Sequence, residues 1–145
     1  MFLLDTNIVS ELQRPRPETK VLDWIESVPQ EFHFLSVISL AEIVRGVTRH
    51  PDLQRKAVLQ NWVDHKLRAW VGGGLIPVSE AIAEEAGRLS GRRDLLGRPI
   101  SFGDAHIAAA AIEHNLVLVT RNVKDFAGLP LEILNPWTDT VAHKA

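Results

Sequence analysis

The chain of 145 residues contains no cysteine and one methionine. Without cysteine there are no disulfides, no thiol nucleophile and no thiolate metal site. Nothing in that composition signals secretion, and the cytoplasm is the expected compartment. No apolar run approaches the ~20 residues that span a bilayer. The opening MFLLDTN is too short in its apolar part, and too acidic in its flank, for a signal peptide. The six histidines, His33, His50, His65, His106, His114 and His143, show no HxxxH spacing, and most are expected at the surface or at helix ends. Neither sign of charge dominates: 16 Lys+Arg stand against 18 Asp+Glu, a formal net charge of -2. That balance argues against a protein that coats nucleic acid non-specifically. Repeats, low-complexity tracts and linkers are also missing. Pro15 and Pro17 bracket one short turn and Gly72 to Gly74 form another, neither long enough to separate domains.

What is present is an ordinary globular composition, 46% hydrophobic and 23% charged. The length suits one domain, able to bury roughly 70% of the surface its unfolded chain exposes. Residues 1–139 are expected to form it, with 140–145 as a fraying tail. Apolar runs at 2–4, 32–36, 75–78, 116–120 and 132–134 read as strands. Helical patterns fill 19–28, 39–49, 53–71, 79–96 and 101–114. In 39–49 the stripe is Leu40, Ile43, Val44 and Val47. In 53–71 it holds Leu59, Trp62, Val63, Leu67, Trp70 and Val71, a packing face on which Trp62 or Trp70 could anchor a dimer. Strands that are apolar throughout, alternating with helices, predict a parallel sheet of four to five short strands between two helical layers, a three-layer α/β/α domain. In such sheets ligands bind beyond the carboxyl ends of the strands.

The residues there are acidic. Asp5 and Asn7 follow the first strand. Ser36 and then Glu42 follow the second. Thr120, Arg121, Asn122 and Asp125 follow the 116–120 run, and Asp104 opens the helix before it. Singly, each acid has a plain structural role. Asp5 can cap a helix. Glu42 completes Ser39-x-x-Glu42, a capping box, and Ser101-x-x-Asp104 is a near relative. Asp125 can be a loop acid. Asp104, however, shares a stripe with Ile107, Ala108 and Ala111 on an alanine-rich helix that must pack deeply. A carboxylate there is costly unless paired or bound to a metal. Gathered carboxylates raise one another's pKa, and a cation relieves them. Oxygen-only donors select Mg2+ or Mn2+ over zinc. Such ions serve phosphodiester hydrolysis. Setting those four acids aside leaves 14 acidic side chains against 16 basic. Of the candidate phosphate contacts (Arg14, Arg16, Arg45, Arg49, Arg92, Arg93, Arg98, Arg121 and Lys124), Arg14, Arg45 and Arg121 lie closest in sequence to the acids.

These segments, LLDTNIVSEL (3–12), SLAEIVRG (39–46), DAHIAAAA (104–111), VTRNVKDF (119–126) and LNPW (134–137), together resemble PIN-domain ribonucleases, and most nearly the VapC/FitB-like toxin branch of bacterial toxin–antitoxin pairs. The resemblance implies a Mg2+- or Mn2+-dependent endoribonuclease acting on RNA, a homodimer, and a cognate antitoxin. It makes Asp5, Glu42 and Asp104 the core acids and metal ligands, matches Asp125 to the fourth acid, and sets Thr120 and Asn122 beside it. Asn7 either orients ligands with them or caps the following helix. Where some relatives carry an acid, Asn122 supplies no charge, so either Asp125 takes that part or the site has three acids. Two other readings compete. An aspartyl phosphatase would need D-x-D after the first strand, where Asn7 stands. A non-catalytic module binding RNA or protein would use the acids only as caps and ion-pair partners.

Overall fold

The computed structural model describes residues 1–139; the expected tail at 140–145 lies outside the described residues. Five strands form one sheet: β1 (Phe2–Leu4), β2 (His33–Ser36), β3 (Gly74–Ile76), β4 (Val117–Val119) and β5 (Ile133–Leu134). All pairings are parallel, in the order β3-β2-β1-β4-β5. The helices are α1 (Thr6–Leu12), α2 (Thr19–Ser27), α3 (Val37–Thr48), α4 (Leu53–His65), α5 (Leu67–Trp70), α6 (Glu80–Leu95), α7 (Phe102–Glu113) and α8 (Val123–Phe126). The three-layer α/β/α reading thus holds, with five strands.

Alternation along the strands divides the core in two. Leu3, Ile76 and Leu118 face one layer, against Ile82, Ala86 and Leu89 of α6 and the Ala105 and Ile107–Ala111 run of α7. Phe2, Leu4, Leu35 and Val119 face the other, against Ile8 and Val9 of α1, Val21, Trp24 and Ile25 of α2, and Val63 and Leu67 beyond. The alanines of α7 are buried, and their small side chains let that helix lie close to the sheet.

Several elements depart from expectation. Residues 53–71 form two helices, because Lys66 leaves helical geometry (φ -125°, ψ -28°). Trp62 and Trp70, on either side of the break, meet edge-on at 6.1 Å. Both are half-buried and pack against the core. Two short helices, α1 and α8, lie outside the expected helical patterns. Val44 is turned outward instead of joining the buried stripe of α3. The glycine run ends a helix as expected, but it also opens β3. Gly74 has φ +117°, where side chains are rarely tolerated. A Cβ on Gly73 would lie 2.8 Å from the His33 carbonyl oxygen.

The order of the strands fixes where function can sit. Successive connections run outward from β1 to β2 and β3, then return to the other side of β1 for β4 and β5. The chain therefore reverses its direction of winding between β1 and β4, and the crevice at their carboxyl ends is the ligand position of such sheets.

Candidate active site

Asp5 follows β1 and Thr120 follows β4, and the two meet in this crevice. The backbone continues the ladder between them: the Asp5 N–H donates to the Val119 carbonyl at 2.9 Å. Asp5 is 4% exposed and Thr120 fully buried. Asp5 does cap α1, its Oδ1 accepting from the Thr6 N–H at 2.7 Å. Its other oxygen, Oδ2, accepts from Thr120 Oγ1 at 2.8 Å and Asn7 Nδ2 at 3.3 Å. Capping and presentation of the carboxylate are one arrangement, not rivals. Thr120 Oγ1 also accepts from Asn7 Nδ2 at 3.2 Å and the Asn122 N–H at 3.0 Å. Asn7 Oδ1 accepts from the Arg121 N–H at 3.3 Å. Asn7 thus ties the β1 end to the β4 loop and makes no cap. Asn122 enters through its backbone.

The helix starts decide the remaining acids. Ser36, not Ser39, caps α3, its Oγ accepting from the Ile38 N–H at 3.0 Å. The expected capping box at Ser39 and Glu42 is therefore not formed, and Glu42 is released from it. It is exposed, and its Oε1 accepts from Thr6 Oγ1 at 3.1 Å. A Cβ on Gly103 would stand 3.8 Å from that same oxygen, so α7 begins against Glu42. Ser101 does cap α7, accepting from the Asp104 N–H at 3.1 Å, and sets Asp104 in the first turn. Asp125 lies exposed on α8.

The electrostatics join these positions. Asp5 holds its proton more tightly than an ordinary carboxyl, first through burial, then through the charges of Glu42 and Asp125, against the lowering effect of its Thr120 and Thr6 hydrogen bonds. Asp104 is raised likewise, by burial first, then by Asp5 and Asp125, with its Ser101 hydrogen bond opposing. Yet among the described residues no three acidic or imidazole side chains are gathered closely enough to hold one ion jointly. The donor set therefore suits a hard cation that takes one or two carboxylates and keeps water in the rest of its shell, as Mg2+ does. Glu42, exposed and bonded to Thr6, stands apart from the buried Asp5.

The linkage sets one prediction. Because folded Asp104 binds its proton more tightly than the unfolded chain does, the parent loses stability as pH rises from the usual carboxylate range through the raised value. Asp104→Asn removes that loss. In metal-free buffer it should melt higher than the parent at pH 7.5, by roughly 2 °C. The gap should close near pH 4. Thermal melts across pH measure it, and a variant less stable at every pH would refute the clustered charge.

Of the cations expected to meet phosphate, Arg14 pairs with Glu11 at 3.3 Å, and Arg45 is exposed. The guanidinium of Arg121 lies 5.1 Å over the Trp137 ring. The burial of some polar residues, Arg93 and His33 among them, is not evident from the sequence by residue type alone. Arg93 is 6% exposed, with its guanidinium on main-chain carbonyls. The signal was there, since Ile82, Ala86, Leu89 and Arg93 recur at helical spacing on one stripe. His33, in the expected 32–36 strand, is buried in β2 on the face of Leu35, and its ring nitrogens have no hydrogen-bond partner among the described residues. Burial holds its pKa below the ordinary value, against a weaker raising influence from the Trp70 backbone.

A parallel α/β/α sandwich with acids ending the strands at its switch point is the architecture of a PIN domain, and the PIN domain family model matches residues 2–129. The chain belongs to that family. Within it, Toxin FitB of Neisseria gonorrhoeae is 32% identical over 96% of this chain and 100% of its own length. The crystal structure of FitAcB from that organism superposes with a TM-score of 0.88, covering 95% of this chain and 99% of the other. VapC ribonuclease Y4jK of Sinorhizobium fredii is 31% identical, over 94% of this chain and 98% of Y4jK. A toxin–antitoxin complex from Klebsiella pneumoniae contains a chain 28% identical, with a TM-score of 0.66 and coverage of 94% and 98%.

Proposed function

We propose that this protein is an endoribonuclease that hydrolyses RNA phosphodiester bonds with Mg2+ or Mn2+, and that it is the toxin of a toxin–antitoxin pair. The observation that supports the chemistry is that Asp104, in the first turn of α7, lies near enough to Asp5, at the β1 end, for the charge of Asp5 to raise its proton affinity. Asp5 and Asp104 would hold the ion, with Glu42 assisting through water. A divalent ion bound there supplies Lewis acidity toward a phosphate and lowers the pKa of water. The chain's own residues do the rest. Thr120 and Asn7 fix the orientation of the Asp5 carboxylate. Glu42 and Asp125 stand at the rim, able to accept a proton or orient water. The names of FitB and Y4jK support the toxin and ribonuclease parts of the reading. They also count against a purely binding module.

The antitoxin would be a protein segment covering the approach to the site. A groove of about 390 Å³ supports this, since it starts at Thr6 and Glu42 and continues over Val9, Ile43, Leu59 and Trp62. The homodimer belongs to the same reading, and the exposed Leu95 and Leu96 offer it apolar surface. No described helix is long and apolar enough to cross a membrane.

The test is cleavage of total RNA by the purified protein. Products are expected with Mg2+ or Mn2+, and none in EDTA. Cleavage that persists in EDTA, or RNA left intact with either ion, would end this reading.

A further inference from the structure

A second cavity, of about 380 Å³, opens beside the acids, and Arg93, Arg98, Ser101, Asp104, Lys124 and Asp125 are among the residues that line it. Its unusual member is Arg93. The guanidinium donates to the carbonyls of Arg98 at 3.2 Å, Asp125 at 2.6 Å and Ala127 at 3.4 Å. Among the described residues no carboxylate forms an ion pair with it. A buried cation without a counter-ion is expensive. Carbonyl dipoles offset part of that cost, but three bonds do not use all five N–H donors of the group. Arg98 and Lys124, at the rim, are exposed and also unpaired among the described residues. Among the described residues neither acid of the cavity, Asp104 or Asp125, forms an ion pair with these cations. Three cations thus share a polar cavity with one edge of the candidate active site.

We propose that this cavity seats a phosphate of the RNA strand, that of a nucleotide adjoining the cleaved linkage, on Arg93, Arg98 and Lys124. A planar guanidinium fork fits phosphate oxygens, and the lysine adds a point charge. Because Asp104 and Asp125 line the same cavity, a phosphate held there lies next along the strand from the one presented to Asp5 and Asp104. Arg93 has a second effect. By holding the carbonyls of Asp125 and Ala127 it fixes α8, and with it both Lys124 and Asp125. This assignment rests on the ribonuclease reading for its substrate, but not for its test.

Binding is measured in EDTA, by fluorescence anisotropy of a short labelled single-stranded RNA at several salt concentrations. Arg98→Ala and Lys124→Ala change exposed side chains and leave the fold in place, as a thermal melt verifies. Each should weaken binding several-fold at low salt. Each should also reduce the slope of log K against log salt by about 0.7, the value for one phosphate contact on a single strand. Arg88→Ala removes a surface cation already paired with Glu84 and Glu85, and should leave affinity unchanged. Inorganic phosphate should compete for the parent and not for the double variant Arg98→Ala/Lys124→Ala. A double variant that keeps the parent's affinity and slope would overturn the seat, and so would an Arg88→Ala loss equal to theirs. If the slopes change as expected while the parent fails to cut RNA with Mg2+, the seat stands and the ribonuclease reading falls. If the parent cuts and the slopes do not change, the seat alone falls.

Discussion

Asp5→Asn is expected to lower metal-dependent RNA cleavage by about a hundred-fold to a thousand-fold or more, the scale of losing one preorganised electrostatic group from an active site. The change keeps the size of the side chain, and an amide oxygen can still accept from the Thr6 N–H that caps α1. What it removes is the negative charge in the crevice. Asp5 is the most buried of the four acids, so its charge is the least screened and the hardest to replace with water. Mn2+ binding by calorimetry should weaken in step with the rate. Folding is not expected to suffer, because the parent carboxylate is already disfavoured by burial and by Glu42 and Asp125. Parent-like cleavage by a folded Asp5→Asn protein would remove this residue from the mechanism.

The elements that were legible in the sequence are those whose signal is local and long. The apolar strands, the helix expected at 79–96 and the alanine run of α7 all occupy their expected places, and the acids at the strand ends followed from them. The short elements were not legible. α1 spans 7 residues and α8 only 4, too few for a helical stripe to repeat. Their caps do depend on residues that also build the site, as Asp5 shows. The capping box was misassigned because the pattern fits at Ser39 and Glu42 while the chain actually enters the helix at Ser36. That frame depends on where β2 ends, and its last residue, Ser36, is paired with Ile76 of β3. Burial of polar residues was the other blind spot. Arg93 and His33 occupy core positions by periodicity, yet their residue types argue for the surface. Only the tertiary partners of Arg93, the carbonyls of Arg98, Asp125 and Ala127, explain its place. The buried ring of His33, without a hydrogen-bond partner among the described residues, has no comparable explanation.

Thr120→Val should reduce cleavage by about 10- to 100-fold, the usual effect of removing a group that orients a metal-binding side chain. The hydroxyl is the hub of the crevice. It donates to Asp5 Oδ2 at 2.8 Å and accepts from Asn7 Nδ2 and the Asn122 N–H. Valine matches its shape but leaves these groups short of a partner in a fully buried position, at a stability cost of about 1–3 kcal/mol. The pH dependence separates this effect from simple damage to the core. The Thr120 hydrogen bond lowers the proton affinity of Asp5, opposing the rise caused by burial. Its loss raises that affinity further, so the acidic limb of the pH–rate profile should move to higher pH. Part of the lost rate should then return on raising the pH. Asp5→Asn has no carboxyl to deprotonate and should recover nothing. Thr120→Ser keeps the oxygen and should hold both the rate and the limb near those of the parent. A Thr120→Val enzyme that is slower at every pH by the same factor, with its limb unmoved, would reduce Thr120 to a packing residue. It would leave the orientation of Asp5 to Asn7 and the Thr6 N–H.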